Sequence, residues 1–259
     1  MTAVVDGLRL AVGTLTMVPV GELDPPTRRS ATWGMSLAPL AALPLGVAVA
    51  ATCWIAQLSV LPPLVGATLA LLVLALGSRA MHLDGLADTV DGVGAGWSRE
   101  RALEVMRRGD VGPMGVAALV MVLLAQAAAA AVVLGRPWGW LVVGVAVLVS
   151  RAACALTCTT GIHAARSDGL GAVVAEAVPR PVTVVVLLVT AGLLSLAVGV
   201  QGVQPLVGIV AVLAMTAVVA VLVRTATRVF GGVSGDVMGA AIELSLATLL
   251  VVLSSGLGQ

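Results

Sequence analysis

The chain has 259 residues, 59% of them hydrophobic and only 10% charged, with a mean hydropathy of +1.11. A soluble domain is normally about a quarter charged, so this composition excludes an ordinary water-soluble globule. It points to an all-α, polytopic membrane bundle, one domain over residues 1–259, with the lipid bilayer as its main solvent. A formal net charge of +1 excludes nucleic-acid binding through charge.

Residues 1–20 form a short apolar segment interrupted by Asp6 and Arg9, suited to lying in the interface or re-entering the bilayer. With no small-residue cleavage site behind it, the segment does not read as a signal peptide. Seven apolar runs follow, at 36–57, 62–81, 112–134, 138–160, 181–200, 205–223 and 238–256, each near the length of about 20 residues that spans a bilayer. Pro39, Pro62, Pro63, Pro113, Pro137, Pro181 and Pro205 mark helix starts, and Pro44 is expected to kink the first run. Cys53, Cys154 and Cys158 lie in apolar stretches and read as packing residues rather than a metal or disulfide set.

Charges fall on alternate connections. Arg9, Arg28 and Arg29 precede the first run; Arg79, Arg99, Arg101, Arg107 and Arg108 lie around the 82–111 loop. Arg151, Arg166 and Arg180 fall in or near the next charged loop, and Arg224 and Arg228 precede the last run. The positive-inside rule then predicts seven spans in the inner (plasma) membrane, a cytoplasmic N-terminus and an outward C-terminus. Most acids share the Arg-rich connections, so an active site would open to the cytoplasm.

Four constellations carry chemistry. In M-H-L-D-G-L-A-D-T-V-D-G (81–92), at about 100° per residue, Asp84, Asp88 and Asp91 fall within roughly 60° on one helix face. Like charges so placed repel, and a divalent cation would remove the repulsion. Carboxylate oxygens without Cys or paired His suggest Mg²⁺, with Mn²⁺ able to substitute, rather than Zn²⁺. Gly85 and Gly92 keep the backbone thin for a bulky ligand. His82, on the opposite face, is either a general base or a structural helix-end histidine.

In the second stretch, 98–115, Ser98 caps a short amphipathic helix that Gly109 ends, leaving Arg107, Arg108 and Asp110 beside the next span. The two Arg are suited to clamping phosphate, or else to ordinary anchoring at the membrane. The third stretch, 163–172, pairs Arg166 with Asp168, and the fourth, 231–243, presents Gly235 and Asp236 at a helix start. Glu243 lies inside the last span, where an acid is functional by default. The reading places Asp236 and Glu243, seven residues apart, on one wall of the cleft.

H-L-D-G-L-A-D-T-V-D-G, R-A-L-E-V-M-R-R-G-D-V-G-P-M-G and G-G-V-S-G-D-V-M-G-A-A-I-E resemble the cobalamin synthase family, the adenosylcobinamide-GDP ribazoletransferases of vitamin B12 assembly. The likeness extends to L-T-M-V-P-V (15–20) and R-S-D-G-L-G (166–171); Ser234 replaces an expected Thr, and the arm at 21–30 diverges. The resemblance implies that adenosylcobinamide-GDP is joined to α-ribazole or its 5′-phosphate with release of GMP, by Mg²⁺-assisted displacement at phosphorus. It assigns Asp84, Asp88 and Asp91 to metal, Asp110 and Asp236 to metal or base, and Arg107, Arg108 and Arg166 to phosphate, and it leaves homo-oligomerisation open. A phosphotransferase of the CDP-alcohol type is the nearest rival, but its D-G-x-x-A-R element is not matched. A secondary transporter would place its acids nearer the bilayer midplane.

Overall fold

The computed structural model describes residues 2–96 and 98–255. Its helices are α1 (Thr2–Leu15), α2 (Arg28–Ser36), α3 (Ala38–Ala41), α4 (Leu43–Leu58), α5 (Pro63–Gly77), α6 (Met81–Gly94) and α7 (Arg99–Val105). There follow α8 (Pro113–Leu134), α9 (Gly139–Ser150), α10 (Ala152–Thr157), α11 (Gly169–Val174), α12 (Arg180–Val200), α13 (Leu206–Phe230) and α14 (Gly235–Ser254). The fold is a polytopic helical membrane bundle.

Five of the seven predicted runs are helices long and apolar enough to cross a membrane: α8, α9 with α10, α12, α13 and α14. Residue 256, the last of the final predicted run, lies outside the described residues. The other two runs depart from the expectation. Run 36–57 is split into α3 and α4, the longer piece having 16 residues, because Pro39 and Pro44 each open a new helix. Pro44 is thus a helix start rather than a kink. Run 62–81 stops at Gly77, where the chain turns by 89° into α6; the bent pair counts as at most one further span.

That corner is formed by Arg79 and Ala80, consecutive residues at φ 56° and 54°. Neither is glycine, so the turn is strained and needs outside support. The N-terminal segment supplies it: the Met17 N–H donates to Gly77 O (2.7 Å) and Arg79 Nη2 donates to Gly13 O (3.0 Å). The predicted interfacial segment is therefore a helix, α1, that packs on α2 and α3 and braces the corner. As a result α6 runs across the charged end of the bundle instead of continuing α5.

At the centre stands α14, packed against α6, α8, α9, α10 and α13. Its small residues Gly239, Ala240, Ala241 and Ser245 are all buried and let these neighbours approach closely. Between α4 and α9 the same device operates, with Gly46 and Gly144 set backbone to backbone. At the far end, Arg136 donates to the carbonyls of Leu253, Ser254 and Ser255 and so caps the C-terminus of α14.

Candidate functional site

Asp84, Asp88 and Asp91 do share one face of α6, and their burial rises along the helix: Asp84 is exposed, Asp88 half-buried and Asp91 buried. The gradient arises because the start of α8 closes over the C-terminal part of α6. Asp91 accepts the Gly112 N–H (2.7 Å) and the Gly115 N–H (2.9 Å), one on each carboxylate oxygen. It therefore caps α8 from a neighbouring helix, satisfying amides that have no partner inside α8. A Cβ at Gly112 or Gly115 would fall on the carboxylate. The G-D-V-G-P-M-G stretch is in this respect a seat for Asp91, and the third aspartate of the stack is turned toward α8 rather than toward its two companions.

Asp88, with Asp84 beside it, lies within reach of the charges at the start of α14. There Ser234 is the N-cap, accepting the Val237 N–H, and its hydroxyl donates to Asp236 Oδ2 (3.1 Å). Arg166 Nη2 donates to the same oxygen (3.1 Å). Asp168 lies 3.9 Å from Arg166 Nε and 3.6 Å from Arg107 Nη2. Three sequence segments far apart in the chain thus converge in one line: Arg107, Asp168, Arg166 and Asp236. Gly235 opens α14 half-buried, next to Leu170.

The loop carrying Arg166 is fixed by backbone pairing. The Ala165 N–H donates to Val233 O (2.8 Å), the Val233 N–H donates to His163 O (2.9 Å), and Arg99 Nη2 donates to Ala165 O (3.0 Å). Gly85 and Gly92 serve helix packing rather than ligand approach: a Cβ on Gly85 would sit 2.7 Å from Asp236 O, and one on Gly92 2.7 Å from the Met106 side chain. Burial first, and then the charges of Asp84, Asp236 and Asp91, push the Asp88 carboxyl up to about 6 against the pull of Arg166. The cleft therefore combines crowded carboxylates with guanidinium groups. Such a surface suits a phosphate brought in with a cation.

Other predicted residues fall elsewhere. Arg108 is engaged by Glu104 (2.7 Å), and with Asp110 it lines a separate cavity of about 280 Å³ beside Asp91. His82 is buried against Gly239 of α14, with neither ring nitrogen partnered among the described residues. Burial, and then the Arg151 charge, lower its pKa to about 3, so the ring is neutral and sealed from the cleft. Of the two readings its sequence allows, it is the structural one, a core residue. Glu243 is likewise buried, and Gln126 Nε2 donates to its Oε2 (2.9 Å) and to its carbonyl (3.1 Å). The expected wall of Asp236 with Glu243 does not form, because α8 covers the inner turns of α14. Among the described residues no three His, Cys, Asp or Glu side chains gather as a metal-holding group.

Sequence reading placed Arg151 in or near a loop and missed its burial. It falls in the break between α9 and α10, wholly buried, with Nη1 donating to Val147 O (3.0 Å) and Ser150 Oγ (2.7 Å). An Arg inside the apolar run 138–160 was the signal. Gln126, the partner of Glu243 inside run 112–134, was a weaker one.

The profile of the family described as cobalamin-5-phosphate synthase matches residues 7–254. A protein of a Nocardioides species called adenosylcobinamide-GDP ribazoletransferase is 49% identical over 249 residues, covering 95% of this chain and 97% of its own length. Proteins of the same name from Frankia casuarinae and Bradyrhizobium diazoefficiens are 36% and 34% identical, each covering 93% of its own length and 95% and 96% of this chain. No solved structure matches.

Proposed function

Because the chain belongs to the cobalamin-5-phosphate synthase family, whose members are transferases of cobalamin synthesis, we propose that it joins adenosylcobinamide-GDP to α-ribazole or its 5′-phosphate. A ribazole hydroxyl attacks the phosphorus attached to cobinamide, the bond from that phosphorus to the GMP oxygen breaks, and GMP leaves. The observation that carries this reading is the approach of Asp88, with Asp84 beside it, to the Arg166–Asp236 pair at the start of α14.

The donor set suits Mg²⁺ or Mn²⁺. It is carboxylate oxygen alone, and Mg²⁺ commonly takes one or two carboxylates together with substrate phosphates, so no closed three-acid cage is required. Asp84 and Asp88 would hold it together with the substrate phosphates, with Asp91 setting the position of α6 on α8. Bound there, the metal would offset charge on the phosphate oxygens and on the departing GMP. Arg166 and Arg107 orient the diphosphate through forked N–H donors. Asp168 lies between the two guanidinium groups and keeps them at one spacing. The cleft is proposed to face the cytoplasm at the plasma membrane, where nucleotide substrates are dissolved.

GMP release from adenosylcobinamide-GDP by purified protein in vesicles, with and without α-ribazole, tests the reaction. Release that depends on α-ribazole, stops on exhaustive chelation and returns with Mg²⁺ or Mn²⁺ is the expected result. Undiminished activity after chelation refutes the metal assignment. A single cysteine at exposed Ser167 should react with an impermeant reagent only from the cytoplasmic side.

A further inference from the structure

Between α10, α12 and α13 lies a groove with a volume of about 430 Å³. Its apolar wall is made by Leu156, Ile162, Val184, Leu187, Val219 and Val223, and Arg180 and Arg224 line it at the charged end of the bundle. On α12 the lining positions 180, 183, 184 and 187 recur at i, i+3, i+4 and i+7, so the wall extends about 10 Å from Arg180 toward the bilayer. α13 runs back alongside α12, which brings Arg224, near its end, level with Arg180 at the start of α12.

The groove is polarised. Both Arg side chains are exposed, and neither has a hydrogen-bond or ion-pair partner among the described residues. The acid nearest in this loop, Glu176, is already taken by the Gly161 N–H and His163. The two hydroxyls of the groove, Thr159 and Thr183, bond to each other (2.9 Å) and leave the guanidinium groups as its polar feature.

We propose that this groove binds one anionic phospholipid, its phosphate held by Arg180 and Arg224 and one acyl chain lying between α12 and α13. A charged mouth leading to an apolar trough between spans matches a molecule with an anionic head and a hydrocarbon tail. A soluble phosphate would leave the trough unused, and a zwitterionic lipid would bring a cationic headgroup up to two Arg side chains.

The test is native mass spectrometry of the full chain extracted from nanodiscs of equal phosphatidylglycerol and phosphatidylcholine. The wild type should retain one phosphatidylglycerol in preference. Arg180→Gln with Arg224→Gln should lower that preference about tenfold or more, whereas Arg228→Gln, at an exposed Arg outside the groove, should keep it. Val184→Trp, which fills the trough and leaves both Arg in place, should expel the lipid and guards against a merely misfolded double variant. Unchanged preference in the double variant, an equal loss in Arg228→Gln, retention in Val184→Trp, or equal competition by glycerophosphoglycerol without acyl chains would each overturn the proposal.

Discussion

α6 and α14 each carry polar residues that face outward and others that face inward. Asp84 and Asp88 on α6 and Asp236 on α14 stand in an open cleft opposite Arg166. His82 and Glu243, on the same two helices, are sealed inside the bundle with Gln126 and Arg151. In the cleft, water screens the charges, and an arriving phosphate can exchange places with it. In the sealed cluster neither exchange nor screening is available, so those groups hold helices in place and cannot meet a substrate. An intramembrane acid is conspicuous in a sequence, yet here the acids proposed to meet substrate are the exposed and half-buried ones.

The contrast breaks most directly at the cleft. Asp84→Asn and Asp88→Asn should each lower turnover by about 100-fold or more, with folded yield preserved; wild-type turnover in either would refute the division. Next in size, Arg151→Leu should collapse the yield of extractable folded protein, because a buried charge cluster loses its cation. Whatever survives should keep its KM within about threefold, as expected of a group that never touches substrate. Glu243→Gln retains an acceptor for Gln126 and should stay within a few-fold of wild-type turnover. A selective loss of turnover there would return Glu243 to the site.

A smaller effect is expected at the seam between α6 and α8. Asp91→Asn keeps one carbonyl acceptor for the α8 amides and should cost about 1 kcal/mol of stability, read as a lower melting temperature. The gentlest test is pH. The Asp88 carboxyl titrates near 6, above its ordinary 3.8, so folding penalises its ionised form. That penalty is full above about 6 and vanishes below the ordinary value. Without metal, melting temperature should therefore rise as pH falls from 7 to 5, and Asp88→Asn should abolish the rise.

Much of this was legible in the sequence. Periodicity put the three aspartates on one face, and the Arg asymmetry grouped Arg107, Arg166, Asp168 and Asp236 at one end, where they meet. What was not legible depends on which helix covers which. Asp91 looks like its companions in sequence, and only the arrival of Gly112 and Gly115 from the next helix turns it into a cap. Glu243 lies on the expected side of α14 but beneath α8, and Arg151 reads as a loop residue until α9 and α10 are seen to bury it. Helix breaks at Pro39 and Pro44 were foreseeable in kind, but the 89° corner has no glycine at its two left-handed positions to announce it.

That corner bears on how the chain enters the membrane as it is made. Straightened, residues 63–94 would be one helix of about 48 Å, well beyond a hydrocarbon core of about 30 Å, and insertion would draw aspartates into lipid. The left-handed pair at Arg79 and Ala80 prevents this while Gly13 and Met17 hold it. The Gly13–Met17 segment, made before the corner, thus acts as a clamp on a turn synthesised some sixty residues later. Disabling the clamp should give protein of inverted or mixed orientation, a fault of biogenesis rather than of chemistry.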